Sequence, residues 1–247
     1  NIVDNEIYVE DGDYAISVQF SRAELTATDN TLVAHERYGD KAVSTKASGA
    51  VIEDNTPLAE ITIEAANVWI GDDATITVTI PKAVGNVTIT VNGKEESVEL
   101  VDGVATLTVA ADDLLMGENT VEVVYDDISY NYAEDETTFQ VLDGVITNET
   151  YQYYFVDGTL VDIVPEGATL DFQGLFAGAY TVKINKPVNI ISSTGDAVFD
   201  SESKSGNSVY SFNIIAGADH TNITGLSFKN YCLYIQGASY VTVDDCS

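Results

Sequence analysis

The residues best equipped to bind or react are acids. Adjacent aspartate pairs stand at Asp72-Asp73, Asp112-Asp113, Asp126-Asp127 and Asp244-Asp245. Hard carboxylate oxygens suit calcium, so calcium is the cation these pairs could hold, but none lies in the spaced loop of a helical hand. Most read as solvated turn ends, and no residue is assigned as a metal ligand from spacing. A polysaccharide lyase would need carboxylates holding calcium and a basic residue to take a proton; a hydrolase would need two opposed carboxylates at a defined separation. With 40 acidic residues some pair always fits, whereas bases are few: ten Lys plus Arg, the arginines being Arg22 and Arg37. The expectation is no catalytic residue, no bound cofactor and no enzyme.

Other reactive types are sparse. His35 and His220 have no partner at helical spacing and no Cys beside them, which argues against a zinc site. Cys232 and Cys246 are the only cysteines. Two are too few for a disulfide scaffold. Stacked free thiols, one bridge and two unrelated side chains all remain open, with inert burial favoured because Cys behaves as a small apolar residue. Asn86-Val87-Thr88, Asn148-Glu149-Thr150 and Asn222-Ile223-Thr224 match the N-glycosylation acceptor pattern, which has meaning only in an exported protein. Asn222 would need to lie at a corner of the chain to be reached.

Composition narrows the partners. The formal charge of −30 over 247 residues opposes binding to nucleic acid or anionic lipid. It suits a salty or divalent-rich exterior, where cations screen self-repulsion. A hydrophobic content of 45% excludes wholesale disorder, and the abundance of Val, Ile and Thr favours strands. No apolar run long enough for a transmembrane helix occurs, so no membrane insertion is expected of this segment.

The elements that must position these residues are announced by a repeat. Asp4-Asn5, Asp29-Asn30 and Asp54-Asn55 recur every 25 residues, and Gly12 to Ser17 is answered by Gly39 to Ser44 with a shift of 27. Short β-rich runs at such a period are the signature of a solenoid. Residues 1–57 are therefore expected to be the C-terminal coils of a right-handed parallel β-helix, with Asn5, Asn30 and Asn55 hydrogen-bonded as a ladder at the inter-strand spacing of about 4.8 Å. The competing reading is that Asp-Asn merely marks turns of an ordinary sandwich.

Residues 58–142 alternate apolar and polar over about seven short strands: Ala59 to Ile63, Ala74 to Ile80, Val87 to Val91, Ser97 to Leu100, Val104 to Val109, Asn119 to Tyr125 and Thr137 to Leu142. Gly71-Asp72-Asp73, Asn92-Gly93 and Asp102-Gly103 separate them as turns, the last two being strong hairpin signals. This pattern predicts an Ig-like β-sandwich without a disulfide. Ala111 to Asn119 predicts one helical turn closed by Gly117, and Trp69 a packing residue. Residues 143–247 predict the capped start of a second parallel β-helix. Tyr151 to Phe155 and Ile163 to Leu170 are its cap. Val188 to Ile191, Thr221 to Leu226 and Tyr240 to Asp245 are its coils, Ser201 to Asn207 a projecting loop, and Asp244-Asp245-Cys246 stands where the first solenoid has Asp-Asn. The fold class is all-β: parallel β-helix segments flanking an Ig-like sandwich.

Val87 to Lys94, Asp102 to Leu107 and Leu114 to Val121 are similar to the Ig-like core, and Ile184 to Ile191 and Asn222 to Phe228 to the opening β-helix coils, of the large adhesin-like surface proteins of methanogenic archaea. The resemblance spans nearly the whole chain. Its motifs are architectural and name no ligand. It implies an extracellular, cell-surface segment with a structural or adhesive task and no catalysis, directed at a surface glycan or protein. The alternatives are a carbohydrate-active β-helix enzyme and a carbohydrate-binding module. Because Asn1 to Asn5 begins, and Val241 to Ser247 ends, in mid-coil, the sequence also predicts either one repeat of a longer polypeptide or copies stacking end to end into a filament.

Overall fold

The computed structural model describes residues 1–9, 12–34, 37–55, 61–81, 83–127, 131–178, 180–201 and 211–247. His35, Pro57, the first residues of the expected Ala59 to Ile63 strand and most of the expected loop from Ser201 to Asn207 lie outside them. The described chain is almost entirely β. Among the described residues the only α-helix is the four-residue Tyr151–Tyr154, and no helix is long and apolar enough to cross a membrane. Two compact units emerge, residues 1–66 with 73–139, and residues 67–72 with 140–247.

The first unit begins with short strands stacked in parallel. Ile2–Val3, Thr26–Thr28 and Val51–Glu53 form one sheet in which Ile2, Ala27 and Ile52 are register partners. Glu6–Val9 pairs with Thr31–Ala34, and Ile16–Val18 with Val43–Thr45. The repeated sequence elements thus become neighbours: 25 residues carry Ile2 onto Ala27, and 27 carry Ile16 onto Val43. After the first strand of each rung the chain turns through Asp4, Asp29 and Asp54, all left-handed with φ of 61°, 57° and 57°. Aspartate is one of the few L-residues that tolerates this conformation. Inward side chains alternate with outward ones, and Ile16, Leu25, Ala27, Leu32, Ala34 and Ala42 form a small buried core.

The rest of this unit is antiparallel. Thr62–Ala65, Ala74–Thr79 and Val104–Val109 make a three-stranded sheet with Ala74–Thr79 central. Lys94–Glu99, Asn86–Val91, Gly117–Asp127 and Asn131–Leu142 follow one another in a second sheet, the last strand ending in the other unit. Every second residue is buried, as in Ala74, Ile76, Val78 and Val87, Ile89, Val91, so one face of each sheet is covered. Asn92 and Gly93, with φ of 52° and 82°, close a two-residue hairpin between Val91 and Lys94. Asp102-Gly103 behaves differently. Its left-handed pair (φ 53° and 78°) closes only the Val101 to Val104 bridge, and the flanking strands belong to different sheets. The expected helical turn is a 3-10 turn over Ala111–Asp113 that ends where Leu114 becomes extended; Gly117 instead opens the next strand with φ 82°.

The second unit stacks its strands in parallel again. Val145–Ile146, Thr169–Phe172, Asn189–Ile191, Asn222–Thr224 and Thr242–Asp244 form one sheet. Thr159–Leu160, Val182–Ile184, Ser211–Ile215 and Cys232–Gln236 form a second, begun by an antiparallel turn with Phe155–Val156. Leu175–Ala177, Val198–Asp200 and Ser227–Lys229 form a third. The expected strand groups at 188–191, 221–226 and 240–245 do stack on one another. Val68–Trp69 pairs with Val141 and Leu142, and Trp69 packs against the core of this unit. That core is larger and aromatic, with Phe172, Phe176, Phe199 and Phe212 fully buried.

Candidate functional site

The hydrogen-bonded column of Asn5, Asn30 and Asn55 is the most ordered polar array that the sequence singles out. Asn5 Nδ2 donates to Asn30 Oδ1 at 3.1 Å, and Asn30 Nδ2 donates to Asn55 Oδ1 at 2.8 Å. The same acceptors take the backbone N–H of Asn5 and Asn30 at 3.0 and 3.2 Å. Each amide also ties to a strand carbonyl, Asn30 to Ile2 and Asn55 to Ala27, at 2.9 and 2.8 Å. Asp40 Oδ1 closes the column by accepting from Asn55 Nδ2 at 2.7 Å. With the Nδ2 donors of all three residues bonded, the Oδ1 acceptors of Asn30 and Asn55 occupied and Asn30 only 1% exposed, the column holds the rungs in register.

The aspartate pairs disperse. Asp73 Oδ1 accepts from Ala111 N at 2.9 Å, Asp113 pairs with Lys94 at 3.1 Å, and Asp244 and Asp245 are exposed. The side chains of Asp126 and Asp127 lie outside the described residues. Among the described residues no three His, Cys, Asp or Glu side chains gather as a metal site would require. Arg37 lies over the Tyr14 ring at 4.5 Å and donates to the Asp13 carbonyl at 2.9 Å; Arg22 is exposed. His220 is not isolated: its ring stacks on Tyr240 one rung away, centroids 4.8 Å apart. The two thiols are free and half-buried rather than buried; Cys246 Sγ lies 3.3 Å from the Asp244 carbonyl.

One polar cluster escaped the sequence reading. Asp171 accepts from Ser193 N and Oγ at 2.7 and 2.6 Å and from Gln173 Nε2 at 2.7 Å. Partial burial pushes its carboxyl up, but these bonds to the charged form outweigh that and leave it below the ordinary aspartate value. Asp196 is lowered by the Thr194 hydroxyl first and the Gly174 N–H second. Both therefore stay ionised at neutral pH, which suits a bracing role and not that of a proton donor. The partners lie 22 residues apart across neighbouring rungs, a spacing no repeat flags.

All three acceptor asparagines are exposed. Asn86 Nδ2 donates to Ser97 Oγ at 3.1 Å, and Asn222 Nδ2 to Asn189 Oδ1 at 2.9 Å. Asn222 sits on a strand and not at a corner, and is reachable because it points outward. Asn148 occupies the turn before the short helix. A concavity of about 420 Å³ in the first unit is lined by Glu122, Val123, Val124, Glu134, Asp135 and Glu136. Its four acids would repel an anionic ligand. No protein-family model, curated protein or solved structure matches the chain.

Proposed function

We propose that this chain is an extracellular structural or adhesive segment of a cell-surface protein, built as parallel β-helix coils on either side of an Ig-like sandwich and carrying no catalytic centre. The supporting observation is the asparagine column, whose polar groups serve coil-to-coil register instead of a ligand. The ionised, hydrogen-bonded Asp171 and Asp196 add to it, because a glycosidase would need one carboxyl kept protonated. Likeness to the adhesin-like surface proteins of methanogenic archaea enters as part of the same proposal. In this reading the acidic surface keeps the segment soluble and spaced from its neighbours in a cation-rich exterior, and the target is a surface glycan or protein. Incubation of the purified chain with neutral and acidic polysaccharides tests it. Binding without new reducing or unsaturated ends, or no binding, agrees with the proposal; saturable turnover contradicts it.

A further inference from the structure

The three acceptor sequences are equal as text and unequal in the fold. An oligosaccharyltransferase must draw the asparagine amide, and the hydroxyl two residues on, out of the folded surface into its own site. A sequence locked into a sheet on both sides resists this more than one in a surface turn. Asn222 lies in a strand paired with Asn189 on one side and Thr242 on the other, and its amide is already bonded to Asn189. Asn86 is paired with Glu99, its amide is bonded to Ser97, and Thr88 of the same sequence is held between Ser97 and Val124.

Asn148 is different on each count. It is exposed, stands in the turn between Val145–Ile146 and the Tyr151–Tyr154 helix, and no hydrogen bond among the described residues engages its side-chain amide. The Thr150 hydroxyl donates to the Val145 carbonyl at 3.3 Å and accepts from Thr147 N at 2.9 Å. These contacts are local to the turn, so releasing them leaves the ladder between Val145–Ile146 and Thr169–Phe172 intact. We propose that Asn148 is the N-glycan acceptor of the folded chain, while Asn86 and Asn222 are acceptors only before folding. The glycan would be carried on the rim of the second unit next to its capping helix. The biological use of the site rests on the extracellular reading above; the acceptor geometry does not.

The test offers a purified oligosaccharyltransferase and its lipid-linked glycan to the folded full chain and, separately, to three short peptides carrying the acceptor sequences, followed by intact mass and peptide mapping. The proposal expects all three peptides to be modified, the folded chain to gain a single glycan at Asn148, and the folded Asn148→Gln chain to gain none. Modification of the folded chain at Asn86 or Asn222 as readily as at Asn148 would overturn it. So would a folded chain left bare at Asn148 while its peptide is modified. Mapping the chain isolated from its native source is a separate arm: a bare Asn148 there would count against export, with the acceptor geometry still judged by the reconstituted reaction.

Discussion

The two parallel stacks solve the same problem with opposite chemistry. At residues 1–55 the column that runs from rung to rung is polar: Asn5, Asn30 and Asn55, amide to amide. In the second unit it is aromatic: Phe176, Phe199 and Phe228 are register partners on successive rungs, stacked at 4.7 and 5.9 Å with interplanar angles of 12° and 19°. Both follow from strands about 4.8 Å apart, a distance at which an amide can reach the next amide and a ring can lie on the next ring. An amide column demands identical placement in every rung, because an unmet buried donor or acceptor is costly. A ring column tolerates shifts and offsets. The strands flanking the amide column are accordingly regular at 25 residues, with 27 only between Ile16 and Val43, whereas the second stack varies between 20 and 33 from rung to rung.

The largest effect is expected where the aromatic column is cut. Phe199 is fully buried and touches Phe172, Phe176, Phe212, Phe228 and Tyr231. Phe199→Ala should cost about 3–5 kcal/mol by lost transfer energy and the cavity left behind. Trp69, the only tryptophan, packs against this core, so its fluorescence in a denaturant titration reads the loss directly.

Next is a polar anchor inside the apolar stack. Lys186 Nζ donates to the carbonyls of Val161, Asp162 and Val164 at 3.2, 3.0 and 3.1 Å, with its side chain only 14% exposed. Lys186→Met keeps the packing stem and strips the donors, at a cost of about 2–3 kcal/mol in the same titration. Asn30→Ala should follow at about 1–3 kcal/mol, since it leaves Asn5 and Asn55 without their central partner. Hydrogen exchange of the amides of Leu32, Ala27 and Ala34 reads that loss, because this stack holds no tryptophan. If Asn30→Ala proved as costly as Phe199→Ala, the contrast between a register column and a core column would fail.

The contrast also explains what was legible. The 25-residue period could be read directly because the corner needs a left-handed Asp followed by an Asn, and few residues substitute for either. The same corner in the second unit passes through Gly225 and Asp245, also left-handed, but is followed by Leu226 and Cys246. Only the last of these resembled the earlier motif. The Phe ladder, at spacings of 23 and 29, gave no period, and its partners emerge only once the strands are in register. Asn119 is fully buried and takes bonds from Leu115 N and Asn92 Nδ2 at 2.8 Å, yet as text it was one polar residue at a strand start. The Asp171 cluster was hidden for the same reason as the Phe ladder.

Smaller effects separate the units by pH. Burial raises the Tyr151 and Tyr154 hydroxyls to about 12, against the ordinary value of 10.0, despite bonds involving Thr181 and Gly144. A folded value above the unfolded one means that stability is full below pH 10 and is lost as pH rises toward 12. Ultraviolet titration should show Tyr151 and Tyr154 ionising late, with unfolding of the second unit in the same window. At the acid end the sign reverses. The lowered Asp171 contributes stability above the ordinary aspartate range that is lost as pH falls through its folded value. Solvent screening keeps this below about 1 kcal/mol, so Asp171→Asn should shift the neutral-pH titration only slightly.

One continuous amide column keeps the first stack in register. Side-chain amide exchange and amide-to-amide nuclear Overhauser effects at Asn5, Asn30 and Asn55 address it directly. Slow exchange is expected at Asn30 and Asn55, both of whose amide groups are bonded, with cross-peaks linking Asn5 to Asn30 and Asn30 to Asn55. Solvent-rate exchange at Asn30, with no cross-peak between residues 25 apart, would contradict it.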